Sequence, residues 1–253
     1  MNINDMQHDM IDRLRHSMRA LQMLMRSQEV TANNLANINT PGFKSDKLFY
    51  RAFREKLDGE SVQGVETRQS ISMQQGTLEA TNNPLDFAIE GEGFFQVSNG
   101  TGTFLTRNGR FSLNPEGYLV DSNNSMVEGV SGAIHLPQFA GSGADREVTI
   151  EVAKDGTVKV EGEEVARIKV VNVDDLPGLE RRTNSYLAVP EGLEMYEENS
   201  AQIVQGYYEA GNVNPLSEMV DMTRNMRLFE SQQRAMRTSD EMLSQTTTKL
   251  GRF

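Results

Sequence analysis

The chain has 253 residues, enough for one large or two modest domains, but 37% hydrophobic side chains, 7% aromatic ones and no Trp are lean for a single compact globule. Cysteine is absent, which excludes disulfides, thiol catalysis and Cys-based zinc sites. The net charge of −11 sits in the middle of the chain, residues 1–40 and 211–253 being close to neutral, which argues against nucleic acid as the main partner because phosphates call for a basic face.

The chain opens "MNINDMQHDMIDRLRHSM", without the apolar core and small-residue cleavage site of a secretory signal. No apolar run approaches the roughly 18 residues of a membrane helix. The expectation is a protein that stays in the cytoplasm or leaves by a route that keeps its sequence intact. Residues 1–40 contain neither Gly nor Pro, and Ile11, Leu14, Met18, Leu21, Met25, Gln28, Ala32 and Leu35 alternate by three and four positions. That spacing predicts one helix, roughly 60 Å long at 1.5 Å per residue, with a heptad seam. It runs into "TANNLANINTPGFK", where Asn33, Asn34, Asn37 and Asn39 precede Thr40-Pro41-Gly42. Asn is a poor helix-interior residue and a good cap, so these amides end the helix and the Pro-Gly pair turns the chain.

Residues 41–75 show no clear period and read as a connector with a helical piece around Leu48 to Leu57. From 76 to 210 the period falls to two, predicting an antiparallel β domain of many short strands. "TFLTRNGRFSL" predicts a hairpin around Asn108-Gly109, with Phe104 and Thr106 against Phe111 and Leu113. "VTIEVAKDGTVKVEG" predicts another around Asp155-Gly156, with Val148, Ile150 and Val152 facing Val158 and Val160. Asn114 to Gly117 read as a turn and residues 165–173 as one further strand. From 211 to 253 the helical period returns through Met219, Met222, Met226, Phe229, Gln233, Met236, Asp240, Leu243, Thr247 and Leu250. Pro215 suits the first turn of that helix, with Asn212 or Asn214 as its cap. The fold class is α+β and multi-domain: N- and C-terminal helices pairing as an α-helical coiled coil, with a central antiparallel β domain. Apolar residues outside both seams, such as Met10, Leu24, Val220 and Leu228, leave further helix faces to be covered.

Catalytic chemistry is hard to find. His8, His16 and His135 are scattered, and the first two lie eight positions apart rather than at the closer spacing of helical zinc motifs. "EGEGFF" lacks the third glycine and following helix of a phosphate loop, so Gly91 and Gly93 read as a tight turn or close backbone packing. The acidic stretches "EMYEENS" and Glu161 to Glu164 lack calcium-loop spacing. The expectation is no enzyme, no cofactor, no metal and no small-molecule substrate.

"ANNLANINTPGFK" resembles the N-terminal signature of the bacterial flagellar rod and hook proteins. "GEGFFQV" with "TRNGRFSLNPEGYLVD" is similar to the β-domain signature of that family, and "GYYEAGNVNPLSEMVDMTRNMRLFESQQRAMRTSDEML" to its C-terminal one. The resemblance implies a structural axial component of the flagellar basal-body rod that polymerises into a helical tube, transmits torque from motor to hook and encloses the export channel. Residues 1–40 and 211–253 would form its inner coiled-coil domain, 41–75 a connector and 76–210 its β-rich outer domain. It implies partners in copies of itself and other rod proteins, with hook and ring proteins as further candidates. Export would use the flagellar type III apparatus without a cleavable signal peptide, to a basal body spanning the periplasm. The short span from Phe43 to Gly76 favours the proximal rod class, with the distal rod and hook classes as alternatives. The expected assembly interface is Leu14, Met18, Leu21, Met25, Asn33, Asn34, Leu35, Asn37, Met222, Met226, Phe229, Met236 and Leu243, with Pro41 and Gly42 as the turn. The four amides exceed the needs of one helix end, which points to use between subunits. A rival reading is an oligomeric β-domain carbohydrate binder displaying Tyr186, Tyr196, Tyr207 and Tyr208; another is a phage-tail or secretion-tube component.

Overall fold

The computed structural model describes residues 3–57, 60–100, 102–136, 149–183 and 185–250, with the backbone alone for residues 3–14, 52–57, 60–65 and 243–250. The chain divides into two units, one made of Met1–Ala36, Asp46–Ser70 and Asn214–Phe253, the other of Asn37–Ser45 and Ile71–Val213.

In the first unit, α1 (Ile3–Ala36) is followed by a hairpin of β1 (Asp46–Leu57) and β2 (Glu60–Ile71), and α2 (Pro215–Leu250) completes it. The N-terminus of α2 follows expectation: the Asn214 Oδ1 accepts the Leu216 and Ser217 amides at 3.0 and 3.3 Å, and Pro215 occupies the first turn. The helices pack antiparallel, with Ser27 bonded to Asn225 at 2.9 Å and Asn34 to Glu218 at 3.2 Å.

The covered stripes are rotated from the predicted seams. On α2 the half-buried positions are Glu218, Met222, Asn225, Phe229, Gln232 and Met236, a run of three- and four-residue steps. Met222, Phe229 and Met236 belong to the predicted seam, whereas Met219 and Met226 are exposed. On α1, Leu21, Gln28 and Leu35 are half-covered, while Met18 and Met25 are about half exposed at 53% and 51%. The hydrogen-bonding pairs Ser27–Asn225 and Asn34–Glu218 set the helix rotation, a contact that apolar periodicity does not register.

The helical piece expected around Leu48 to Leu57 is a strand instead. The stretch read as a connector holds the β1–β2 hairpin, a two-stranded sheet in which each strand pairs with the other. Pairing with a neighbour overrides a weak local preference of this kind.

The second unit contains β3 (Leu78–Ala80), β4 (Phe87–Glu90), β5 (Phe94–Asn99), β6 (Gly102–Thr106), β7 (Ser112–Leu113) and β8 (Leu119–Val120). It continues with β9 (Met126–Gly129), β10 (Gly132–Ala133), β11 (Ile150–Val152), β12 (Thr157–Val160), β13 (Glu163–Arg167) and β14 (Val170–Val173). It ends with β15 (Glu180–Arg181), β16 (Leu187–Ala188), β17 (Met195–Glu197), β18 (Gln202–Gln205) and β19 (Tyr207–Glu209). Among the described residues, a ten-stranded sheet is built around β5, which pairs β6, β9 and β14. A three-stranded sheet β11–β12–β13 and the pairs β4–β18 and β3–β19 complete the unit. Successive side chains on a strand point to opposite faces. Phe95 and Val97 therefore enter one core with Phe87, Phe111 and Ile203, while Phe94 enters a second with Leu105, Val171 and Leu187. That is why "GEGFFQV" is apolar in consecutive positions.

The predicted hairpin at Asp155-Gly156 forms, with Ile150 opposite Val160 and Val152 opposite Val158. Val148 lies outside the described residues. The turn at 114–117 also forms, closed by Gly117 N donating to Asn114 O at 2.9 Å. Two expectations do not hold. Asn108-Gly109 is no hairpin: β6 pairs β5 and β16, and β7 pairs β8. Neither residue has the positive φ that a two-residue hairpin turn of that type needs, and a Cβ on Gly109 would meet Phe87 O at 1.6 Å. Gly109 permits close backbone approach, with its carbonyl accepting Phe87 N at 2.9 Å. Residues 165–173 form two strands in different sheets, β13 and β14, separated where Ile168 N donates to Gly156 O and Lys169 N to Glu128 O.

Candidate functional site

The Asn-rich stretch turns the chain by using side chains as backbone substitutes. Asn34 is 2% exposed; its Nδ2 donates to Asp46 O at 3.0 Å and its Oδ1 accepts Asp46 N at 2.9 Å. One amide thus meets both main-chain groups of a residue twelve positions on, as a paired strand would. The same Nδ2 reaches Glu218, whose carboxyl is raised above its ordinary value mainly by desolvation, against the Asn34 bond and with Asp221 adding to the rise. Asn37 is buried, accepting the Thr40 hydroxyl at 3.2 Å. Both amides act inside the folded chain.

Residues 37–45 are built into the β unit. Gly42 takes φ +67° and donates to Glu209 O at 2.7 Å; a Cβ there would lie 2.1 Å from the Asn108 nitrogen, so the position requires glycine. Phe43 is fully buried beneath the Arg181 guanidinium, 4.6 Å from the ring centroid. Asn212 accepts Ser45 N at 2.6 Å and donates to Ser72 O and Gln74 O at 2.9 and 2.8 Å.

Beside this stitch lies a buried triad of charges. Lys44 Nζ is 2.6 Å from Glu209 Oε1 and 2.8 Å from Gln74 O. Arg107 lies 3.3 Å from Glu209 Oε2 and donates to Gly91 O at 2.8 Å and Ile89 O at 3.4 Å. Gly76 N supplies a further bond to Glu209 Oε1 at 2.7 Å. Side-chain exposures are 3% for Lys44, 5% for Arg107 and 1% for Glu209. Burial pushes both cations below their ordinary values, and the attraction of Glu209 opposes it; Arg107 itself also weighs against Lys44, and Glu92 assists Arg107. Arg107 Nε has no hydrogen-bond partner among the described residues.

The remaining candidates are structural. His135 Nε2 is 2.9 Å from Glu116 O and its ring lies 4.6 Å from Tyr118. Gly91 and Gly93 both take φ 109°; a Cβ on Gly93 would meet Val170 at 2.6 Å, whereas at Gly91 the nearest neighbour, Ala201, lies at 3.6 Å, so close packing holds at Gly93 alone. Tyr186 is buried, bonded to Asp121 and Ser125 and stacked on Phe104; desolvation and Asp121 raise its phenol. Among the described residues, no helix is long and apolar enough to cross a membrane, and no group of acidic or histidine side chains converges as a metal site.

Three family models match the chain: a flagella basal body rod protein model over residues 14–44, a flagellar hook protein FlgE/F/G D1 domain model over 88–160, and a flagellar basal body rod FlgEFG protein C-terminal model over 204–249. The flagellar basal-body rod protein FlgF of Caulobacter vibrioides is 34% identical, covering 91% of this chain and 94% of its own. The chain belongs to the flagellar basal-body rod protein family. FlgF of Salmonella typhimurium is 31% identical over 89% of this chain and 92% of its own, and FlgG of Bacillus subtilis 28% over 86% and 90%.

Each of the three matched segments contributes one charge to the triad: Lys44, Arg107 and Glu209. Sequence reading missed all three as a set. Lys44 was visible as the end of the Asn-rich signature, but nothing local links it to a glutamate 165 positions away. Of the expected interface residues, Met18, Met25, Met226 and Asn33 are exposed, whereas Leu21, Leu35, Met222, Phe229 and Met236 are partly covered. Asn34 and Asn37 are buried, and the side chains of Leu14 and Leu243 fall outside those described. Pro41 and Gly42 form the turn.

Proposed function

We propose that this chain is a structural component of the flagellar rod, polymerising with its own copies and other rod proteins into a helical tube that encloses the export channel and passes torque from motor to hook. The similarity to FlgF of Caulobacter vibrioides across 91% of the chain carries this reading. The helical unit supports it. Leu216, Met219, Val220, Met226 and Leu228 on α2 and Met18 and Met25 on α1 face solvent, while half of the covered α2 stripe is polar. A helix pair with apolar side chains outward wants further helices around it. Contacts between non-identical patches would propagate as an open helix, and the Met-rich faces suit unlike neighbours.

FlgF names recur among the relatives, which favours the proximal rod class, with the distal class as the second reading because FlgG relatives cover a similar span. On this reading the protein has no catalytic role. It works in the basal body across the periplasm and arrives through the flagellar export apparatus without a cleaved signal. The coiled coil is the form we assign to the helices in the assembled rod. Replacing Met25 and Met226 by Glu tests the interface. The purified double variant should keep the wild-type melting profile of the β unit, while cells depending on it lose motility and yield basal bodies lacking a complete rod. Normal motility and intact rods would overturn the proposal.

A further inference from the structure

We propose that the Lys44–Arg107–Glu209 triad is a folding gate: the β unit cannot close around its two buried cations until the carboxylate near the end of the chain arrives. Lys44 and Arg107 are made early and in the middle of synthesis, and Glu209 after almost every strand. All three are buried, and among the described residues Glu209 is the one carboxylate bonded to both cations. A chain lacking Glu209 would have to desolvate two like charges side by side, which leaves the β unit open.

The gate has a mechanical counterpart. Glu209 O accepts Gly42 N at 2.7 Å, Asn212 N donates to Phe43 O at 3.1 Å, and the Asn212 side chain bonds Ser45, Ser72 and Gln74. Residues 209–212 thus add bonds to residues 42–45 and 72–76 beyond those from Arg181, which covers Phe43 and donates to Lys44 O, and from Gln75, which donates to Ile89 O, so both segments are fully anchored only once those residues emerge. The consequence for export rests on the rod reading: a subunit bound for the channel that the rod encloses keeps its β unit open until Glu209 has been made.

The test uses the full-length protein and hydrogen exchange of the segment holding the Gly42 amide. Glu209→Gln keeps the shape of the side chain but removes its charge, and exchange should accelerate roughly a hundredfold or more, the loss expected of a broken buried ion pair. Adding Lys44→Met removes one of the two stranded cations and returns the net buried charge to its wild-type value, so exchange should slow by roughly tenfold or more against the single variant, although Arg107 stays unpaired. Wild-type protection in Glu209→Gln would overturn the gate. So would a double variant no better protected than the single one, since the Gly76 bond to Glu209 would then explain the loss. If Glu209→Gln yields no folded protein while the double variant does, the gate stands. These readings concern the monomer and are independent of whether rods assemble.

Discussion

Asn34 shows how one side chain can replace an element of secondary structure. Its amide satisfies both Asp46 main-chain groups and reaches Glu218, linking α1, β1 and the first turn of α2. Truncation removes all three bonds at once from a site only 2% exposed. Asn34→Ala should lower the stability of the helical unit by about 1–3 kcal/mol, because buried polar groups lose their partners. Thermal unfolding followed by far-UV circular dichroism measures it, and an unchanged midpoint would remove Asn34 from this role. The sequence marked Asn34 among the residues that end α1; it lies in the last turn, and its amide bonds Asp46 and Glu218 rather than the helix's own backbone. That Asp46 is its partner was hidden, because one amide fits a cap, a subunit contact or a main-chain mimic equally well.

At the scale of elements, turn dipeptides divided according to their surroundings. Asp155-Gly156 makes its hairpin because β11 and β12 have apolar partners in register on either side. Asn108-Gly109 does not, because β6 already has β5 and β16 as neighbours and Gly109 lies against the Phe87 carbonyl. The β1–β2 hairpin went unread although Asp58-Gly59, a favoured hairpin dipeptide, stands between the two strands in the sequence. Glycine at a crowded point is more demanding than glycine at an open one. Gly42 and Gly162 both take positive φ, but a Cβ at Gly42 strikes the Asn108 backbone whereas none of its surroundings lies within 4 Å at Gly162. Gly162→Ala should cost about 1–3 kcal/mol of backbone strain, and Gly42→Ala clearly more, since the clash adds to the strain. Denaturant titration of the two variants reads the difference, and equal midpoints would show that the segment simply shifts.

At the scale of the whole molecule, the two units bury apolar surface to different degrees. The β unit has fully covered cores around Phe95 and Val171, whereas the helical unit presents Met18, Met25, Met219, Val220, Met226 and Leu228 to water. Helices short of buried contacts open locally at low free energy. In dilute monomer, hydrogen exchange should therefore be fast in residues 15–35 and 220–242 and slow in β5, β6 and β14, with helix protection appearing on polymerisation. Strong helix protection in dilute monomer would mean that the ends are complete without neighbours.

The sequence by itself determined where the two long terminal helices lie, that the middle is antiparallel β, and which family the chain resembles. Those features follow from period, glycine and proline placement, and contiguous signatures such as "ANNLANINTPGFK". Tertiary structure alone decided the rotation of the helix seams, the fate of Asn108-Gly109 and the meeting of Lys44, Arg107 and Glu209. Each of these depends on groups far apart in the chain competing for one space, and a buried charge finds its partner by where the backbone carries it, a quantity that neighbouring residues do not encode.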